Sequence, residues 1–142
     1  MAAYNKINQF VQDLANKAHN LSADTFNVCL SNTATVATNS VYGDVSGAEV
    51  ANGNGYTTGG TAATITSSTQ TSGTEKWILQ SVVFTATGAV GPFRYATLYN
   101  ATQTTPLKPL IAWWDYGSSV TLANGDTFTV AFDGTNGVLT IA

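Results

Sequence analysis

Five short runs in the second half of the chain constrain its fold more than any other feature: residues 77–85, 93–99, 109–116, 128–132 and 138–141. Each is rich in β-branched and aromatic residues, and Gly, Asn, Asp or Pro separates it from the next. That is the pattern of successive strands in an antiparallel all-β domain. Ten of the fifteen Phe, Trp and Tyr residues lie from Trp77 onward, which puts the main core there. None of the runs carries an obvious reactive group, so the residues point to a structural or binding module and not to an enzyme.

A chain of 142 residues reads as one domain and is long enough to bury a substantial core. Only 9% of residues are charged, against a typical quarter, and Thr, Ser, Asn and Gly supply the polarity instead. The net charge of −3 and 11% aromatic content exclude the disordered class. An uncharged polar surface suits close assembly with other protein, because few charges must be desolvated. Lys6, Lys17, Lys76, Arg94 and Lys108 are scattered, which leaves no basic stripe for nucleic acid or an anionic membrane. The single Cys29 has no internal disulfide partner, and its neighbours Phe26, Val28 and Leu30 predict a buried or semi-buried thiol. No apolar run has the length of a membrane span, and the N-terminus turns polar too early for a signal peptide.

Residues 5–21 predict one amphipathic helix. Ile7, Phe10, Val11, Leu14, Ala15, Ala18 and Leu21 form an apolar stripe, Lys6, Asp13 and Lys17 a solvated side, and Asn5 the N-cap. Such a helix packs on its own sheet or on a neighbouring subunit. Residues 24–31 alternate as a half-buried strand, with Phe26, Val28 and Leu30 on one face. Residues 32–61 are Gly-rich and weakly patterned, either a mobile connection or an arm that orders against a partner. Residues 62–142 form the main β core. Within it, Gln70–Gly73 predicts a turn, Asn124-Gly125 a tight hairpin, and Asp133–Gly137 a second turn. About eight antiparallel strands must close or stack to hide their edges. The predicted fold is a mainly β, antiparallel sandwich, a jelly roll being one such arrangement, with one N-terminal helix.

Candidate chemistry is thin. His19, near the predicted helix C-terminus, fits a cap or a surface position better than a general base. Asp115 lies between Trp114 and Tyr116, where rings could raise its pKa or cradle a sugar, and with Asp126 or Asp133 it would make a glycosidase-like pair. The simpler reading has it ending a strand and bonding a turn or Arg94. Asp133–Gly137 lacks the acidic ligand that completes a calcium loop, and Gly53-Asn54-Gly55 follows no phosphate-binding pattern. Of the adjacent Trp113 and Trp114, at most one can face a ligand. No catalytic, cofactor or metal residues are assigned, and no cofactor is expected.

Four stretches carry a resemblance: Asn52 to Gly60, Gly91 to Ala96, Trp113 to Gly117, and the ending from Phe128 to Ile141. In this order they resemble motifs of small virion proteins of tailed bacteriophages, most like head decoration (cement) proteins. Where typical members carry a more acidic or isoleucine-rich run, this chain has Asp44 to Val50. The resemblance implies a β-rich structural protein, assembled in the host cytoplasm onto the capsid exterior. Its partners would be the major capsid protein and itself, as a dimer or trimer, without nucleic acid or membrane. The candidate capsid or subunit contacts are Tyr42, Val45, Val50, Asn54 and Tyr56, in the Gly-rich arm. The alternatives are a tail or head–tail connector component, and a carbohydrate-binding host-attachment module using an exposed aromatic among Trp77, Trp113, Trp114 and Tyr116.

Overall fold

The structure, a computed structural model, describes residues 2–142. In chain order its elements are β1 (Asn5–Lys6), α1 (Phe10–Ala15), β2 (Phe26–Ser31), β3 (Thr61–Ala63), β4 (Ile65–Thr71), β5 (Thr74–Leu79), β6 (Val82–Thr85), β7 (Val90–Asn100), β8 (Leu110–Leu122), β9 (Thr127–Val130) and β10 (Leu139–Ile141). The protein is mainly β and antiparallel, as predicted. The strands form a five-stranded sheet in the order β1-β8-β7-β2-β3, a three-stranded sheet β10-β5-β4, and the ribbon β6-β9.

Ten strands replace the expected eight because one apolar run is divided and short edge strands are added. Residues 77–85 look continuous in sequence but split at Gln80-Ser81, where Gln80 N–H donates to Thr64 O and Ser81 Oγ accepts from Phe132 N–H. Each half then joins a different sheet. The turn after β4 is the tight one expected: Ser72 and Gly73 both have positive φ, 52° and 84°, and Thr71 pairs with Thr74. Asn124-Gly125 also makes a tight turn, closed by Asp126 N–H to Ala123 O. It does not make a hairpin, because β8 pairs with β7 and β1 while β9 pairs with β6. The turn carries the chain from one sheet to another.

Register shows how the layers stack. Phe26 and Leu30 share a face of β2, and Leu30 lies opposite Ala96, which lies opposite Trp114. That face receives the smaller sheets: Phe26 meets the fully buried Trp77 of β5 edge-on at 4.7 Å, and Trp114 meets Phe132, just after β9, at 5.4 Å. Trp77 Nε1 donates to Leu21 O at 2.8 Å, so its one polar atom is satisfied inside the core. Truncating a ring so placed typically costs about 3–5 kcal/mol.

The opposite face is covered by residues 32–60, which lie on the chain's own sheet and are not a free arm. Thr35 Oγ1 and Thr97 Oγ1 are hydrogen-bonded at 2.6 Å, Tyr42 stacks on Tyr99 at 4.7 Å, and Asn27 Nδ2 donates to Gly59 O. The glycines permit the contact. Gly60 has φ 76°, and a Cβ there would lie 2.8 Å from Cys29 Cα, inside the backbone of β2.

The predicted helix shrinks to the six residues of α1. Asn5 is not its N-cap: Asn5 and Lys6 pair with Trp113 and Ala112 to extend the large sheet. Lys17 then takes φ 64°, and Ala18 N–H closes onto Asp13 O at 2.8 Å, turning the chain away. The stripe was nevertheless a burial signal, since Ile7, Phe10, Ala18 and Leu21 are all in the core. Phe10 is buried from α1 itself and irregular backbone buries the other three, while Val11 and Ala15 of the same predicted stripe are exposed. Asp13, assigned to the solvated side, is buried, with Gln9 Nε2 donating to its Oδ1.

Candidate functional site

The residues expected to contact a partner divide by depth. Val45, Val50 and Tyr56 belong to the chain's own core, Tyr42 is half-buried, and Asn54 is exposed. They are gathered by Glu49. Its Oε1 accepts from Tyr56 Oη at 2.6 Å and Gly59 N–H at 2.7 Å, and its Oε2 accepts from Tyr42 Oη. Burial first, and the Glu49 hydrogen bond second, push both phenols well above their usual range, so both stay donors. Beyond Val28, where β3 stops pairing with β2, Leu30 N–H donates to Tyr56 Oη and Leu30 O accepts from Val50 N–H. The clasp thus satisfies the β2 edge that β3 leaves open. Its hydrogen-bonding capacity is spent internally, which suits a structural role.

Asp115 follows the simpler reading. Arg94 Nε and Nη2 donate to its two oxygens at 2.7 and 2.9 Å, and Gly117 N–H donates to Oδ1 at 2.8 Å. The Arg94 bond, then the Gly117 amide, holds its carboxyl below the usual range, the opposite of the rise a general acid needs. Asp126 accepts from Ala123 N–H, and Asp133 from Thr135 and Asn136, so each carboxylate ties its own turn. Among the described residues, no three His, Cys, Asp or Glu side chains come together as a metal site.

His19 is buried, not a surface cap, because the chain has already left α1. Its Nδ1 faces Asn100 Nδ2 at 3.2 Å, and Asn100 also bonds Asp24 Oδ2 at 2.7 Å. With Nδ1 accepting, Nε2 carries the proton and has no partner, as Asp13 Oδ2 has none. Desolvation lowers the imidazole pKa, against the opposing pull of Asp13 and Asp24.

Two surface features remain open. One is a groove of about 740 Å3 between α1 and β10, lined by Tyr4, Phe10, Val11 and Leu14 on one side and Val138 to Ala142 on the other. Val11, Tyr4 and Ile141 are large apolar side chains exposed in it, and β10 is the edge of its sheet. No sequence signal marks this groove, because it joins residues more than a hundred positions apart. The other is a cleft of about 170 Å3 between β9 and the β7–β8 surface, with Phe93, Trp114 and Phe128 inside and Tyr116 at the mouth. Of the four aromatics weighed as an exposed platform, Trp77 and Trp114 are buried and Trp113 is half-buried, leaving Tyr116 the exposed one.

The chain matches no protein-family model, no curated protein and no solved structure. No helix among the described residues is long and apolar enough to cross a membrane.

Proposed function

We propose that the chain is a structural virion protein of a tailed phage, a cement protein that binds the assembled capsid and catalyses no reaction of its own. The observation that carries this reading is the α1–β10 groove, where exposed Tyr4, Val11 and Ile141 flank an edge strand and Lys6 is the one charged side chain in the described lining. Such a surface can bury apolar area and add backbone pairing at little desolvation cost. The motif resemblance to decoration proteins supports it. The partners are the major capsid protein and further copies of the chain as a dimer or trimer, with Tyr42 and Asn54 as secondary contacts beside the groove's own residues. Bound only to the finished shell, the protein stabilises it by mass action and by bridging neighbouring subunits.

The test is sedimentation of the purified protein with capsids lacking it, beside the double variant Val11→Asp, Ile141→Asp. Wild type is expected to saturate the shell. The variant should remain folded and bind at least about a hundredfold more weakly, because two carboxylates would be desolvated in an apolar contact. Failure of the wild type to bind sinks the cement reading, and equal binding by the variant removes the groove from it.

A further inference from the structure

We infer that the outer edge of β4 is a self-association surface, where two copies of the chain pair β4 to β4 antiparallel about a two-fold axis at Thr69. β4 ends the β10-β5-β4 sheet and has no strand beyond it among the described residues. Native sheets blunt such edges by making them short, charged, proline-bearing or bulged. The remaining edges of the two larger sheets are blunted in these ways. β1 has two residues, one of them Lys6, and β3 and β10 have three each. Past β1, β8 is broken by Gly117 at φ 97° and by a register that skips from Asp115 to Val120. β4 runs for seven residues, Ile65 to Thr71, with neither charge nor proline. Its one bulge lies at the start, between Ile65 and Ser67, and leaves the rest of the edge regular.

The backbone sets the register. In a two-residue hairpin the closing pair, here Thr71 with Thr74, exchanges hydrogen bonds, and the pairs alternate from there. Thr71, Thr69 and Ser67 therefore turn N–H and C=O to β5, while Gln70 and Ser68 turn theirs outward. One antiparallel register uses all four outward groups in each copy: Ser68 opposite Gln70 of the second copy, Gln70 opposite its Ser68, and Thr69 opposite its Thr69. Charge selects a second copy as the occupant. A two-fold axis sets an edge against itself, so a charged edge repels its own copy, and β4 carries no charge. The charges of β5 stay one strand back. The two Lys76 residues, each paired with Thr69, lie three strand spacings apart, about 14 Å and beyond the roughly 8 Å screening length at physiological salt. Lys76 Nζ is moreover held by Thr135 O. Thr69 against Thr69 is a favourable cross-strand pair. The two-fold contact also closes, whereas β4 against another copy's β10 would run on as an open filament. The dimer is then one six-stranded sheet with an α1–β10 groove free at either end, so the contact stands or falls independently of capsid binding.

Sedimentation velocity of the full chain, with no capsid present, gives the readout. The protein is expected to pass from monomer to dimer with a Kd on the order of 100 µM or tighter, the range of small transient contacts. Thr69→Lys, at an exposed position, sets two ammonium groups opposite each other and should weaken the dimer about fivefold or more, with an unchanged far-UV spectrum. Thr69→Cys should be trapped by diamide as a disulfide-linked dimer, and much faster than Ser118→Cys, an exposed site away from the contact; the native Cys29 is buried. The inference is overturned if the chain stays monomeric to ~1 mM, if Thr69→Lys dimerises as well as wild type, or if Thr69→Cys links no faster than Ser118→Cys.

Discussion

Replacing Gly60 with Ala tests whether residues 32–60 truly lie against the large sheet. Two costs combine at this position. The φ of 76° places a side chain in the left-handed region, at about 1–2 kcal/mol. The new Cβ would also lie 2.5 Å from Val28 C and 2.8 Å from Cys29 Cα, backbone atoms of a central strand that cannot rotate away. Overpacking of this kind costs about 1–3 kcal/mol. Together they give roughly 2–5 kcal/mol, or about 7–17 °C in melting temperature for a chain of this length. Two controls separate the costs. Gly73 has φ 84° with open space around it, so Gly73→Ala carries the conformational cost alone, about 1–2 kcal/mol. Gly134 has neither strain nor a neighbour, so Gly134→Ala should stay within about 0.5 kcal/mol of wild type. Urea unfolding followed by circular dichroism gives all three values. If Gly60→Ala costs no more than Gly73→Ala, the segment does not lie against β2 and the layered arrangement is wrong.

Two further outcomes follow from the buried polar groups. Tyr56→Phe keeps the ring stacked on Phe84 but removes the hydroxyl that serves Leu30 N–H and Glu49; it should cost about 1–3 kcal/mol in urea unfolding, and a loss below the error of the measurement would show that the clasp is not closed in solution. His19 has a folded pKa below its ordinary 6.5, so the unfolded chain binds more protons in the interval between the two values. Its contribution is therefore fully present above pH 6.5 and is lost as pH falls from there through the folded pKa; His19→Gln should flatten that part of the stability–pH curve, and an unchanged slope would refute it.

Much of the fold was legible because strand signals are local. Phe26, Val28 and Leu30 alternate, and Ser72-Gly73 sits between two β-rich runs, so both features could be read from a few neighbours. The errors arose where distant partners decide. Ile7, Phe10, Ala18 and Leu21 recur at helical spacing, yet the backbone of β8 claims Asn5 and Lys6 for a sheet. Nothing within residues 77–85 announces that the two halves serve different sheets, since the break depends on Thr64 and Phe132. The Gly-rich segment read as loose because its fixing groups are a carboxylate, two phenols and the β2 backbone. Trp114 and Tyr116 were visible as a platform, but Phe128, which orients Tyr116, comes from another sheet.

The pairing of Asn5 with Trp113 also sets a clock on synthesis. The two residues are 108 positions apart, so at about 5–20 residues per second the first strand made waits roughly 5–20 s for its partner to be polymerised. Val28 and Leu30 meet β7 only after Leu98 and Ala96 exist. In a nascent chain one edge of β2 has its partners once Ala63 is made, whereas the other edge of β2 and the whole of β1 wait for strands from the last third.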